Sequence, residues 1–316
     1  MTILALDFGG TKHAAAVLTP SAPSWQQYER AFAPPNATAQ TDIKIMRSLA
    51  QSVLQGEKPK AIGVSFGGPV NAQTGIVRLS HHVPGWENIP LQEILEAEFQ
   101  VPVWIDNDAN VAALGEYHYG AGRNCHSLFY ITVSTGVGGG WILNGQPWQG
   151  YEGMAGEIGH TVVDPNGPLC LCGKQGCVER LTSGPYIAQR VRDILQQSRS
   201  RGRILRALVK GNIEEITAKH VNEAAEMGDA IAIQALQQAG WALGVGIGNA
   251  ANFLNPQLFI LGGGVSKAGQ HFWQAVRQSA RNTALPEVNI AIVPAQLGDD
   301  APLWGAVALA ARGSTK

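Results

Sequence analysis

ILALDFGGTKHAAAVL, residues 3–18, sets an apolar run from Ile3 to Leu6 against the turn DFGGTK and a second apolar run, HAAAVL. A P-loop would need a strand, then G-x-x-x-x-G-K-[ST], then a helix, and that spacing is absent. The second run is too short to separate helix from strand by periodicity. Thr19, Pro20, Ser21 and Pro23 stop it after about six residues, which favours strand-turn-strand. Gly9 and Gly10 permit positive φ and leave backbone amides uncovered, so an anion could approach them closely. On this stretch alone an anion-binding turn and an ordinary hairpin turn both stay open.

The rest of the chain narrows the choice. Its 316 residues are 45% apolar and 15% charged, enough for one large or two ordinary domains with real cores. A formal net charge of −1 gives no global pull toward nucleic acid or anionic membrane, so function must sit in a local site. Asp7 interrupts the first apolar run, and no window approaches about 18 uninterrupted apolar residues. The expectation is a cytoplasmic protein with neither a nucleic-acid nor a membrane partner. Arg199, Arg201, Arg203 and Arg206 cluster among Ser, Gly and Leu and read as a solvated surface.

KAIGVSFGGPV (60–70) and PVWIDNDAN (102–110) are short β-rich runs ending in turn residues. Between them PLQEILEAEF (90–99) has apolar residues at 91, 94, 95 and 99, one helical face. Alternating strands and helices predict an α/β fold. SLFYITVSTGVGGGWILNGQ (127–146) repeats the opening plan of apolar run, Gly-rich turn and apolar run, which suggests two related halves. An irregular stretch follows from about 147 to 180. After it come a helical pattern over 230–254, the strand-like LFILGGGV (258–265), and LGDDAPLWGAVALAARG (297–313), a turn feeding an Ala-rich helix.

Three segments, DFGGTK, STGVGGG and LGGGV, each follow a strand-like run and together offer bare amides around one polyanion, for which a nucleoside triphosphate is suited. Asp7 supplies a hard oxygen for Mg²⁺ through water, or simply caps a turn. In IDNDAN (105–110) Asp108 is placed to accept a proton from a substrate hydroxyl while Asn107 orients that substrate. An N-cap for a helix starting near Ala109 explains the same residues equally well. Three of the four cysteines fall within eight residues, in EIGHTVVDPNGPLCLCGKQGCVER. His160, Cys170, Cys172 and Cys177 would make a closed, structural zinc tetrahedron, although C-x-C-x₄-C departs from the common C-x-x-C and leaves reduced thiols as the alternative. Glu157 and Glu179 flank this set, as sugar-hydroxyl ligands or as surface charge. Cys125 stands apart and reads as a small buried or half-buried residue.

LALDFGGTK, NDANVAALGE, STGVGGG, EIGH, CLCGKQGCVE, LGGGV and LGDDAPLWGAV together resemble the ROK group of sugar kinases and repressors, over nearly the whole chain. That group lies within the actin-like ATPase (ribonuclease H-like) superfold that also holds hexokinase. The resemblance implies two α/β lobes with a cleft between them: 1–118 plus 302–316, and 119–301 with a zinc-binding segment at 157–180. It implies that DFGGTK is the first phosphate hairpin, that Asp108 is the catalytic base and that Asn107, Glu157, His160 and Glu179 meet the sugar. Cys170, Cys172, Cys177 and His160 match the zinc ligands. Gly9, Gly10, Thr11, Lys12, Thr135 and Gly136 match phosphate-loop positions, with Asp7 alongside, and Gly262, Gly263 and Gly264 fall at the nucleoside wall. Two departures stand out. HHVPGW (81–86) puts His82 near a position where sugar kinases of this group often have Asn, and Ser134 replaces a common Gly.

The expected activity is an ATP- and Mg²⁺-dependent hexose kinase of carbohydrate metabolism, with a structural Zn²⁺ and a homo-oligomeric state, dimer or tetramer. Glucose is the expected acceptor and its 6-hydroxyl the expected site. N-acetylmannosamine, N-acetylglucosamine and fructose stand as alternative acceptors and polyphosphate as an alternative donor. A sugar-responsive regulator is the alternative of another class. Its DNA-binding members carry an added N-terminal helix-turn-helix, for which a phosphate hairpin beginning at Asp7 leaves no room.

Overall fold

In the computed structural model, residues 2–19, 24–80, 83–198 and 200–313 are described. Pro20, Ser21 and Pro23, the His82 departure and Arg199 lie outside them. By contacts the chain divides into two compact units, Met1–Tyr130 with Gly140–Ala155 and Ala295–Lys316, and Ile131–Gly139 with Gly156–Pro294.

In the first unit, β1 (Ile3–Phe8) and β2 (Lys12–Leu18) form the antiparallel hairpin that the opening stretch predicts, with Phe8 opposite His13 and Ile3 opposite Leu18. β3 (Gln27–Phe32) extends it. α1 (Ala39–Leu54) follows, its first turn capped by the Thr38 side chain, which accepts from the Thr41 N–H. Then come β4 (Ala61–Phe66), the small hairpin of β5 (Val70–Asn71) and β6 (Ile76–Val77), and α2 (Leu91–Phe99) on its predicted span. β7 (Val103–Asn107) runs straight into α3 (Asp108–Tyr119). The sheet order is β3-β2-β1-β4-β7, with β1, β4 and β7 parallel.

Alternation along β1 explains why all six of its residues are buried. Leu4, Leu6 and Phe8 pack with apolar residues of α1 and α2, while Ile3 and Ala5 pack with Val111 of α3 and Leu303, Ala306 and Val307 of the last helix. A strand covered on both faces reads as a continuous apolar run.

β8 (Leu128–Val133), β9 (Val137–Leu143) and β10 (Gln146–Trp148) follow. The second unit continues with α4 (Val178–Thr182), α5 (Gly184–Gln197), α6 (Arg203–Leu208), α7 (Ala218–Glu226), α8 (Ala230–Leu254), β11 (Leu258–Gly262), α9 (Gln270–Thr283) and β12 (Ile292–Pro294), before α10 (Ala301–Gly313). The other five-stranded sheet has the order β10-β9-β8-β11-β12.

α8 reaches a mean hydropathy of 1.2 over an 18-residue window, long and apolar enough by composition to cross a membrane. Most of that window is nonetheless buried within the protein. Gly240, Gly244 and Gly248 form a stripe along α8 against which the α9 backbone lies too close for any Cβ.

Candidate active site and metal centre

The parallel strands β1, β4 and β7 bring three polar residues into one register row near their carboxyl ends, Asp7 beside Ser65 and Ser65 beside Asp106. One step further on, Phe8, Phe66 and Asn107 align. Carboxyl ends of parallel strands are where open α/β sheets place ligand contacts.

The DFGGTK turn closes through the Gly9 N–H, which donates to the Lys12 carbonyl at 3.1 Å. Neither Gly9 nor Gly10 takes a positive φ, contrary to the conformational reason the sequence suggested. What Gly9 requires is space: a Cβ there would sit 2.6 Å from the Lys12 carbonyl oxygen. Thr11 is exposed and Lys12 half-buried at the start of β2.

Asp7 is buried, and its Oδ1 accepts the Ser65 hydroxyl at 2.8 Å. Burial pushes its carboxyl up to about 6, against the opposing pull of that hydrogen bond and of Lys12. A carboxylate held this far from solvent is one that a cation would stabilise.

The N-cap reading of IDNDAN holds in the corner between β7 and α3, where the helix starts at Asp108. Asn107 is the N-cap, its Oδ1 accepting from the Ala109 N–H at 3.0 Å, and its Nδ2 donates to the Gly68 carbonyl at 3.1 Å. Among the described residues, one N–H of that amide and a second lone pair on its oxygen make no further bond and could meet a ligand. Asp108 is half-buried as the first helical residue, and its Oδ1 accepts from the Ala109 N–H at 2.8 Å. A carboxylate at a helix N-terminus interacts favourably with the helix dipole.

Asp106 was not singled out in the sequence, yet it is buried, with Oδ1 accepting from the Asn107 N–H at 2.7 Å and from Asn110 Nδ2 at 3.2 Å. Its Oδ2 accepts from Gln149 Nε2. Burial raises its pKa, and these donors oppose the rise.

In the second unit the other Gly-rich turn is joined to a carboxylate. Glu179, on α4, accepts the Val137 N–H at 2.9 Å, and a Cβ on Gly136 would lie 2.8 Å from the same Oε2. Ser134 and Thr135 are exposed, and the Ser134 N–H donates to the Gly136 carbonyl at 2.8 Å. Gly263, at φ +82°, lies against the Val133 backbone between Gly262 and Gly264, so this unit gathers Thr135, Gly136, Glu179 and Gly262–Gly264. Glu157 is exposed and leads into the 3-10 turn Ile158–His160.

That turn delivers His160 to the cysteines. One ligand atom from each of His160, Cys170, Cys172 and Cys177 lies within 4.8 Å of all the others. Cys172 and Cys177 Sγ are 3.6 Å apart, and Cys170 Sγ is 4.0 Å from His160 Nδ1. These separations belong to free thiols ready for one shared cation, with no bond between the sulfurs. Burial pushes the Cys177 thiol up to about 12, whereas the Lys174 backbone holds Cys172 down at about 7. Cys125 is half-buried and free, and burial raises its pKa.

The sequence matches the ROK family profile over residues 3–313. It is 36% identical over 307 residues to a glucokinase of Halalkalibacterium halodurans, covering 95% of this chain and 92% of that one. A glucokinase of Thermotoga maritima is 30% identical over 314 residues, 98% of this chain and 97% of the relative. A ROK family glucokinase from Streptomyces griseus, whose crystal structure is a complex with glucose and AMPPNP, superposes with a TM-score of 0.87 at 32% identity. That match covers 99% of this chain and 100% of that one. The fold is the two-lobed actin-like ATPase fold of those glucokinases. From its third residue to the end of its last helix, the chain belongs to the ROK family.

Proposed function

We propose that this protein is an ATP-dependent glucokinase, converting ATP and D-glucose to ADP and glucose 6-phosphate. The observation that carries the reading is the β7–α3 corner, where Asp108 stands at a helix N-terminus beside the capping Asn107, in a chain alignable end to end with glucokinases. Phosphoryl transfer asks little covalent chemistry of a protein and much alignment and charge neutralisation.

In this reading Asp108 takes the proton of the 6-hydroxyl as that oxygen bonds to the γ-phosphorus and the bond to the β-bridging oxygen breaks, releasing ADP. Asn107 orients the sugar with its remaining amide valences. Glu157, His160 and Glu179 hold ring hydroxyls, and the hydrogen bond from Val137 N–H fixes one oxygen of Glu179. Amides of Gly9, Gly10 and Gly136, with Thr11, Lys12 and Thr135, receive phosphate oxygens, and Gly262–Gly264 face the nucleoside.

Asp7, buried and stabilised by positive charge, suits Mg²⁺ through water, and that ion would neutralise phosphate charge. One imidazole and three thiols suit Zn²⁺ in a structural site that fixes the loop bearing His160. The test is glucose-dependent ADP formation by the purified protein, with the product identified as the 6-phosphate and polyphosphate tried in place of ATP. Sugar and ATP binding without turnover on any hexose would refute the reading and favour a regulator.

A further inference from the structure

The carboxylate missed by motif reading, Asp106, occupies the centre of a closed hydrogen-bond set. It is 5% exposed, and its neighbour Asn110 is 6% exposed. Its Oδ1 accepts from the Asn107 backbone and from Asn110, one turn along α3, and so spans the strand-to-helix corner from inside. Its Oδ2 accepts from Gln149, 43 residues away in sequence.

Gln149 is itself anchored. Its carbonyl accepts the Ala155 N–H at 2.9 Å, closing the loop 149–155, and Arg78 Nη2 donates to the Glu152 carbonyl at 3.1 Å within that loop. Three N–H donors converge on one carboxylate, which is the complement of an ionised acid and of no other side chain of that size. Its hydrogen bonds run to Asn107, Asn110 and Gln149, and of these Asn107 alone is assigned to the sugar. It is therefore placed to act through the corner rather than on a ligand.

We propose that Asp106 and Gln149 are positioning residues, a hydrogen-bonded pair that holds the Asn107–Asp108 corner in the geometry needed for proton transfer. The proposal rests on Asp108 being the base. A group misplaced by about 1 Å can cost a reaction about 10²-fold, so the pair should register in kcat before it registers in folding.

The experiment exchanges donor and acceptor. Gln149→Leu deletes the bond. Gln149→Glu sets two carboxylates against each other. The double variant Asp106→Asn with Gln149→Glu restores one donor facing one acceptor, while the new amide's oxygen can still serve Asn107 and Asn110.

The expected result is a kcat loss of about 10-fold for Gln149→Leu and more for Gln149→Glu, with ATP KM within about 2-fold of wild type. The double variant should recover at least about 5-fold over Gln149→Glu, as coupled residues do in a mutant cycle. Placed on an Asp108→Asn background, Gln149→Glu should cost less than about 2-fold further, because the group it positions is gone. No recovery in the double variant overturns the proposal, as does a full additional loss on the Asp108→Asn background. An Asp108→Asn variant that turns over like wild type removes the base and the proposal with it. That failure is recognisable because it occurs with the Asp106–Gln149 pair intact.

Discussion

The β7–α3 corner and the loop from 157 to 180 both present polar side chains, and they are ordered by opposite means. The corner is continuous with a parallel sheet and a helix, and its carboxylates and amides are held by hydrogen bonds to backbone groups 1 and 39 positions away and to the Gln149 side chain 43 positions away. The loop contains one 3-10 turn and leaves Leu169 and Leu171 65% and 89% exposed. On the proposed reading, an ion held by His160, Cys170, Cys172 and Cys177 completes its order. The contrast teaches that the corner inherits rigidity from the fold, while the loop, on the proposed reading, obtains it from a bound ion.

Perturbations should therefore separate the two. The largest effect falls on the corner: Asp108→Asn should lower kcat by about 10²-fold or more, the scale of general-base catalysis, with sugar binding and thermal unfolding unchanged. Steady-state kinetics beside a melting curve decides it, and near-wild-type turnover removes the assignment.

Chelation should act on the loop. We expect one zinc per chain, and its removal should raise hydrogen exchange across 157–180 while the strand and helix at 103–119 keep their protection, since metal binding and local folding are one equilibrium there. Zinc-free protein with an unchanged exchange map would erase the contrast.

A third effect lies in stability and concerns the register row itself. Asp7 is raised from the ordinary 3.8 to about 6, so in the metal-free protein its neutral form is favoured by folding. The stability it contributes is fully present below about 3.8 and is lost as pH rises through 6, by up to about 3 kcal/mol. Asp7→Asn should accordingly abolish most activity yet leave the ligand-free protein at least as stable as wild type at pH 7–8. That advantage should disappear on titration toward pH 4, and a variant less stable at pH 8 than at pH 4 relative to wild type contradicts it. The smallest effect is expected for Ser134→Gly, which alters an exposed turn residue whose backbone N–H makes the bond. Its ATP KM should move by less than about 3-fold, because either residue leaves that amide in place.

Local pattern carried much of the architecture. β1, β2, α2, α8 and β11 lie where runs, breakers and helical spacing put them, because each element's periodicity is complete within its own segment. The cysteine and histidine cluster was legible too, since its ligands are close in sequence. What pattern could not carry was pairing over distance. Nothing in PWQGYEG announces that Gln149 will reach Asp106, and Glu179 finds Val137 across 42 positions. His13 reads as an ordinary strand residue, but its Nε2 lies 2.9 Å from Asp42 in the core, and Asp42 also accepts from Trp86 Nε1. A buried polar residue inside an apolar run is the signal that would have pointed to such a partner.

The central claim is that this site serves glucose. A site built to hydrogen-bond a hydroxyl rejects analogues that leave its polar groups unpaired once ligand covers them, by as much as about 10⁴-fold, and on the proposed reading Glu157, His160 and Glu179 hold ring hydroxyls. The direct measurement is kcat/KM for glucose, N-acetylglucosamine and N-acetylmannosamine with ATP as donor. Glucose should exceed both N-acetyl sugars by at least about 10²-fold, and equal or better efficiency with either N-acetyl sugar would contradict the account.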